Sequence, residues 1–326
     1  MKEKLKIKFV DFWGDMNNTG NLFCHILSEK YEIEFSDDPE ILFYSNGGTN
    51  FLKYKCIKIF FSGENVRPDY NVCDYAITFD YSNNRKHCRF PLWALYYWVY
   101  INNIKLPSLD LPVSESEMQK NWKAKSKFCC FIVSNPCSNK RNNFFEELSK
   151  NKFVDSAGRY KNNIGYFLDG GTTDKLSFIK DYKFVISFEN SSHAGYTTEK
   201  ILEPLLANCI PLYWGDPKVN LDFNKERFLN HADYKNENEF INKILDVDND
   251  DLKAFKILKE KCFNDKSIDR LIQNLSEFLH IIIAERNLIT PKSTMFFFIN
   301  LHKISSSFKT LKNHLRFLSQ NLFLKK

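Results

Sequence analysis

The stretch SFENSSHAGYTTEKILEPLLANCIPLYWGDP, residues 187–217, decides the fold of this chain. The apolar run YKFVISF leads into it, and the strand-like run CIPLYW follows a segment with the apolar spacing of a helix. The pattern predicts a strand, a polar loop, a helix and a second strand, which together form a βαβ unit. In parallel sheets, ligands bind beyond the carboxyl ends of the strands, and a helix N-terminus offers unpaired N–H groups that suit phosphate. The loop is therefore a candidate anion site.

The same alternation of strands and helices extends through most of the 326 residues. Strand patterns such as LKIKFV and CIKIFF occur in a first series, and KFCCFIV begins a second series after the polar, proline-containing residues 106–126. We predict an α/β protein with two Rossmann-like domains, whose parallel sheets face each other across a cleft, and additional C-terminal helices. The predicted units are an N-terminal Rossmann-like domain at 1–115, a C-terminal Rossmann-like domain with closing helices at 127–290, and a basic amphipathic tail at 291–326.

The net charge of +6 is concentrated in the tail. Residues 291–326 contain seven Lys and Arg and no acid, which leaves 39 basic and 40 acidic residues in the rest of the chain. A broad footprint on the phosphate backbone of a nucleic acid scales with the number of clustered cations. The neutral body therefore argues against a nucleic-acid partner.

Cysteine usage and hydropathy indicate a cytoplasmic protein. The chain has no run of about 20 uncharged apolar residues, which a membrane-spanning helix needs, and no signal-peptide pattern. The nine cysteines are an odd number and form no C-x-x-C pair, so reduced thiols are expected rather than disulfides or a zinc site.

The tail carries an apolar stripe at alternating steps of three and four residues, flanked by Lys and Arg. The stripe consists of Leu301, Ile304, Phe308, Leu311, Leu315, Leu318 and Leu322. A basic helix of this kind suits an anionic membrane surface or an oligomer seam. We expect peripheral contact with the inner face of the cytoplasmic membrane through residues 292–326, and a helix packed on the body is the alternative.

Two basic residues of the second series are candidate anion ligands. Lys200 lies in the predicted first helical turn, where a cation opposes the helix dipole unless it has a partner such as a phosphate or Glu203. Arg141, beside Lys140, opens the helix that follows an earlier strand. If the two strands share one sheet edge, Arg141 and Lys200 can hold the same diphosphate. An ordinary surface ion pair is the alternative for Lys200.

Glu64, Trp13 and Asp15 are the candidates in the first series. Glu64 directly follows an apolar strand in IFFSGEN, and a carboxylate in that position can act as a general base. Trp13 and Asp15 leave the first strand at the same edge, where a ring can cover a sugar face and a carboxylate can bind hydroxyl groups. A loop acid and a core tryptophan are the alternatives.

Motifs of several other enzyme classes are absent. The chain contains no Walker A, dinucleotide-binding, nucleophile-elbow or H-E-x-x-H pattern, and no isolated D-x-D pair of the kind that holds a divalent metal for many sugar-nucleotide enzymes. Its seven histidines form no cluster. We therefore expect no metal site and no required cofactor, with a diphosphate neutralised by Arg and Lys, although stimulation by Mn²⁺ stays open.

Several ordered motifs together resemble the α-1,3-fucosyltransferases. The resemblance begins with the 187–217 stretch and continues in FVDSAGRYKNN, FIVSNPCSNKRNNFFEEL, FFSGENVRPDYNVCDYAITFD and DFWGD, so that it covers residues 5–235. It implies a GT-B fold with two Rossmann-like domains, GDP-fucose as donor, and inversion at the fucose C1. One departure is Phe12 before Trp13, where relatives often have Trp.

The resemblance also implies roles for single residues. Arg141 and Lys200 match the positions that hold the GDP diphosphate, and Asn190, Tyr196 and Glu199 match positions that contact phosphate, ribose or fucose. Glu64 matches the proposed base. Direct displacement at C1 needs one such base and a cationic cradle for departing GDP.

The expected function is transfer of L-fucose from GDP-fucose to O3 or O4 of GlcNAc in a glycan such as N-acetyllactosamine, giving Lewis-type structures. Two alternatives remain: a transferase of the same fold that uses another sugar nucleotide, and an inactive glycan-binding relative. The sequence leaves open the acceptor type, the linkage and the oligomeric state.

Overall fold

A computed structural model describes residues 2–109, 114–168, 172–264 and 267–292. Each of its two sheets contains only parallel strands, as the sequence predicts. The first sheet has the strand order β2-β1-β3-β4-β5-β6. Its strands are β1 (Glu3–Val10), β2 (Tyr31–Phe35), β3 (Ile41–Tyr44), β4 (Ile57–Phe61), β5 (Tyr75–Thr78) and β6 (His87–Arg89).

The second sheet has the order β11-β10-β9-β7-β8. Its strands are β7 (Lys127–Phe131), β8 (Val154–Ser156), β9 (Tyr182–Phe188), β10 (Ile210–Trp214) and β11 (Leu229–Asn230). Strands β4 and β9 are short, apolar and almost entirely buried, which is typical of central parallel strands covered on both faces. The α/β prediction with two parallel sheets is therefore confirmed.

Helices cover both sheets. They are α1 (Leu22–Leu27), α2 (Leu92–Asn102), α3 (Glu115–Ala124), α4 (Asn139–Asn151), α5 (Thr172–Ile179), α6 (Glu199–Leu206), α7 (Glu237–Asp248), α8 (Asp251–Leu258) and α9 (Ser267–Ala284). Within the described ranges, no helix is both long enough and apolar enough to cross a membrane. The predicted amphipathic helix of the tail falls within residues 293–326, and these residues lie outside the described ranges.

The two sheets have separate cores that meet at α2 and α6. Leu202 and Leu205 of α6 belong to the same buried cluster as the first sheet, α2 and α9. A second cluster packs α4, α7 and α8 around β7, β9 and β10. Helix α9 returns from the second series to pack against the first sheet's cluster. Helix α6, which follows the candidate anion loop, thus packs against α2 on one side and against β9 and β10 of the second sheet on the other.

Candidate active site

A cavity of about 350 Å³ lies between the carboxyl ends of strands in the first sheet and the N-terminus of α6. One wall comes from residues that follow β1, β3 and β4 and from α2, and the other comes from the start of α6. The residues that line it include Trp13, Asn46, Glu64, Tyr96, Thr198, Glu199 and Lys200. The structure therefore brings a carboxylate of the first series and a cation of the second series into one cavity.

Glu64 reaches this cavity because its backbone is fixed at the end of β4. Its N–H donates to the Ser62 hydroxyl over 3.1 Å, and the adjacent Gly63 leaves no room for a side chain, since a Cβ there would lie 2.6 Å from Leu92. The Tyr196 hydroxyl donates to Oε2 of Glu64 over 3.3 Å. The Glu64 carboxylate thus points toward the second series.

Trp13 and Asp15 differ in their placement. Trp13 lines the cavity with 58% of its surface exposed and its ring tilted against Phe61, with the ring centroids 6.0 Å apart. Asp15 is exposed, is not among the cavity-lining residues, and accepts a hydrogen bond from the Asn17 N–H over 2.9 Å. Asp11 lines the cavity instead, but its carboxylate already accepts hydrogen bonds from the N–H groups of Asn50 and Phe51.

The loop before α6 is built around the buried carboxylate of Glu189, which has no exposed surface. Glu189 accepts from the Thr198 N–H over 2.7 Å, from the Thr198 hydroxyl, and from Nζ of Lys200 over 3.1 Å. Burial raises the pKa of Glu189, and the Lys200 ammonium opposes that rise. Glu189 therefore ties the end of β9 to the start of α6.

The ammonium group of Lys200 lies among three acceptors. Besides Glu189, it donates to the Thr198 hydroxyl over 2.9 Å and lies 3.8 Å from Oε1 of Glu199. Burial lowers the pKa of Lys200, but the two carboxylates outweigh burial and leave it above its usual range. Lys200 is therefore a permanent cation at physiological pH. The pKa of Glu199 is lowered because the lysine charges outweigh the effect of its burial.

Arg141 lies buried at the start of α4, with 2% of its surface exposed. Its guanidinium donates to Oδ1 of Asn190 over 2.5 Å and to the Asn135 carbonyl over 2.7 Å, and burial lowers its pKa. Its Nε has no hydrogen-bond partner among the residues that the structure describes. A buried donor of this kind is costly unless it binds something, and a phosphate oxygen is a suitable acceptor. The neighbouring Lys140 instead pairs with Glu237 over 3.0 Å.

In the described ranges, no group of three or more His, Cys, Asp or Glu side chains is arranged to hold a metal ion. Sequence reasoning did not assign Glu189, Asn46 and Tyr96 to the site. Asn46 follows β3 as Glu64 follows β4, so its position at a strand end was a usable signal. Tyr96 lies within an aromatic helix, where its spacing does not separate it from core residues.

Two family models match the chain. The model for the alpha-(1,3)-fucosyltransferase FucT N-terminal domain matches residues 7–96, and the model for the glycosyltransferase family 10 (fucosyltransferase) C-terminal region matches residues 122–259. This chain belongs to glycosyltransferase family 10.

Curated relatives and solved structures of family 10 are similar to the chain. Alpha-(1,3)-fucosyltransferase FucT of Helicobacter pylori is 31% identical over 277 residues, which are 74% of this chain and 56% of that protein. Putative fucosyltransferase R654 of Acanthamoeba polyphaga mimivirus is 32% identical over 178 residues, which are 52% of this chain and 30% of that protein. The chain thus spans about half or less of these relatives.

Crystal structures of an alpha1,3-fucosyltransferase share the fold of this family 10 chain. The structure with GDP superposes with a TM-score of 0.69 at 26% identity, and the structure with GDP-fucose superposes with a TM-score of 0.67 at 28% identity. Both matches cover 86% of this chain and 91% of the other. The GT-B expectation is therefore confirmed.

Proposed function

We propose that this family 10 chain transfers L-fucose from GDP-fucose to O3 or O4 of GlcNAc in a glycan, with inversion at the fucose C1. The observation that carries the proposal is the single cavity in which Glu64 of the first series faces Lys200 of the second. A reaction that removes a proton on one side and releases a diphosphate on the other needs these two charges to face each other across the sugar.

The proposed mechanism is one direct displacement. Glu64 takes the proton of the acceptor hydroxyl while that oxygen attacks C1 of fucose from the face opposite GDP. The C1–O bond to the β-phosphate breaks, and the electron pair leaves with GDP. Arg141 and Lys200 balance the charge of the departing diphosphate. Asn190, which holds Arg141, Tyr196, which donates to Glu64, and Glu199, which lines the cavity, contact the donor in this mechanism.

The hydrogen bond from Tyr196 to Glu64 supports this assignment. It holds one carboxylate oxygen of Glu64 toward the loop between β9 and α6 and leaves the other oxygen for the acceptor proton. Trp13, exposed at the opposite wall, offers an apolar face to the acceptor sugar.

The test is to incubate the protein with labelled GDP-fucose and either N-acetyllactosamine or lactose, with and without EDTA. We expect fucosylated product in both buffers, because the proposed cradle consists of Arg and Lys. If the protein transferred sugar from another labelled sugar nucleotide but not from GDP-fucose, that result would contradict the donor assignment. Binding of GDP-fucose without turnover on any acceptor would identify a glycan-binding relative. Activity lost with EDTA and restored by Mn²⁺ would contradict the metal-free cradle.

We also propose that residues 292–326 attach the protein to anionic membranes. The support is their seven basic residues, their lack of acids and their apolar stripe. Deletion of residues 292–326 should move the protein from the vesicle-bound to the free fraction in sedimentation with anionic vesicles. An unchanged distribution would contradict the attachment.

A further inference from the structure

Helix α6 contains or contacts three carboxylates that are buried or half-buried. Glu189 is fully buried, and the side chains of Glu199 and Glu203 are 18% and 4% exposed. Lys200 contacts the first two of them, at 3.1 Å and 3.8 Å. A single ammonium group that already serves two carboxylates attracts a further anion only weakly, because charge interactions are long-ranged in a partly buried site.

A second cation, Lys175 of α5, lies on the other side of this cluster. It forms an ion pair with Oε2 of Glu203, and its charge also helps to lower the pKa of Glu199. Oε1 of Glu203 accepts from the Tyr100 hydroxyl of α2 over 2.9 Å. Burial raises the pKa of Glu203, whereas Lys175 opposes that rise. Lys175 therefore compensates carboxylates that would otherwise act on Lys200.

We infer that Lys175 is a positioning residue for the donor diphosphate, acting through Glu203 and Glu199 to keep the charge of Lys200 available to the phosphates. The inference rests on the proposed function, because it needs a diphosphate at Lys200. Lys175 itself does not line the cavity. Without it, Lys200 is the one ion-pair partner that the described residues offer to Glu189 and Glu199, and Glu203 has none.

A structural role is the competing explanation, since the same ion pair joins α5 to α6. The two roles differ in what they predict for ligands. Loss of packing weakens the binding of every ligand of the site, whereas loss of charge compensation weakens only the binding of phosphate-bearing ligands. The affinity lost through missing charge compensation is also recovered when the uncompensated carboxylate of Glu203 is removed.

The experiment measures the dissociation constants of GDP and guanosine by calorimetry for the full chain and four variants. Lys175→Met should weaken GDP binding by about tenfold while guanosine binding stays unchanged. Lys175→Met/Glu203→Gln should restore most of the GDP affinity, because the glutamine still accepts from Tyr100 without a charge. Glu203→Gln alone should tighten GDP binding several-fold. Lys180→Met, which removes an exposed cation just after α5, is the control.

The outcomes separate the two proposals. If the unaltered chain binds no GDP, the proposed function fails. If it binds GDP but Lys175→Met leaves that affinity unchanged, or weakens GDP and guanosine equally, the inference about Lys175 fails. Should Lys175→Met not fold, the Glu203→Gln variant decides: an unchanged or weaker GDP affinity overturns the inference.

Discussion

At the scale of residues, the site is a set of charges that are held in place before any ligand arrives. Glu64 is exposed to the cavity but held by Tyr196, whereas Arg141 and Lys200 are fixed by amide and carboxylate partners. Such fixed groups need little reorganisation when charge develops in the transition state. The roles of base and cradle can therefore be separated by substitution.

Glu64→Gln removes the base but keeps the shape of the side chain. We expect kcat for fucose transfer to fall by about 10²-fold or more, because general-base catalysis contributes on that order. The affinity for GDP should stay within about twofold, since no phosphate contact is lost. Glu32→Gln, the same substitution at an exposed position of β2, is the control. An equal loss of GDP affinity in Glu64→Gln would show that Glu64 has a structural role.

Arg141→Lys keeps the charge but loses the planar fork that spans Asn190 and Asn135. We expect GDP affinity to fall by about tenfold, measured by calorimetry, because a lysine cannot make these contacts and also bind phosphate. Lys150→Met on the exposed face of α4 should leave GDP affinity unchanged. Unchanged GDP binding in Arg141→Lys would exclude Arg141 from the cradle.

At the scale of elements, the loop between β9 and α6 depends on close contact with the first sheet. Gly195 has a φ of +86°, and a Cβ there would lie 2.3 Å from the carbonyl oxygen of Phe79, which follows β5. Asp216 also holds the Gly195 N–H over 2.8 Å. The loop between β9 and α6 is therefore positioned by both halves of the molecule.

Gly195→Ala should therefore destabilise the protein by about 2–4 kcal/mol, which combines left-handed backbone strain with a steric clash. Gly165→Ala is a matched control, because Gly165 has a φ of +82° but no atom within 4 Å of its Cβ position. That control should cost only about 1–2 kcal/mol. Urea unfolding measures both values. Equal losses would show that the contact with Phe79 contributes nothing.

The sequence predicted the elements better than the contacts between them. Apolar runs such as YKFVISF identify buried parallel strands. The ends of the predicted strands then pointed to Glu64 and to the loop before α6 as candidate site positions. The pairing of Lys140 with Glu237 and the burial of Glu189 depend on tertiary packing, which has no local signal. For the same reason, Tyr96 was indistinguishable from the core aromatic residues around it, and Asp15 could not be separated from Asp11.

At the scale of the whole molecule, buried polar contacts join the two halves. Arg89 at the end of β6 forms two hydrogen bonds with Asp222 in the second half, and Trp93 of α2 donates to the same carboxylate over 3.3 Å. The Asp222 side chain is 3% exposed. A fixed relation between the halves is what lets Glu64 and Lys200 share one cavity.

Asp222→Ala should lower the free energy of unfolding by about 3–5 kcal/mol, since it leaves the mostly buried Arg89, whose side chain is 16% exposed, without its carboxylate partner. The double variant Arg89→Met/Asp222→Leu should recover part of that loss, because it removes the unpaired charge. Urea unfolding provides the measurement. If the double variant is as unstable as Asp222→Ala, the unpaired charge is not the cause.

In the proposed mechanism, the Glu64 base and the cradle of Arg141 and Lys200 lie on opposite sides of the donor sugar. The most direct test is a crystal structure of the Glu64→Gln variant with GDP-fucose. We expect the diphosphate in hydrogen-bond contact with Arg141 and Lys200, and the fucose C1 facing residue 64. A diphosphate bound away from Arg141 and Lys200, or a fucose ring turned away from residue 64, would contradict the mechanism.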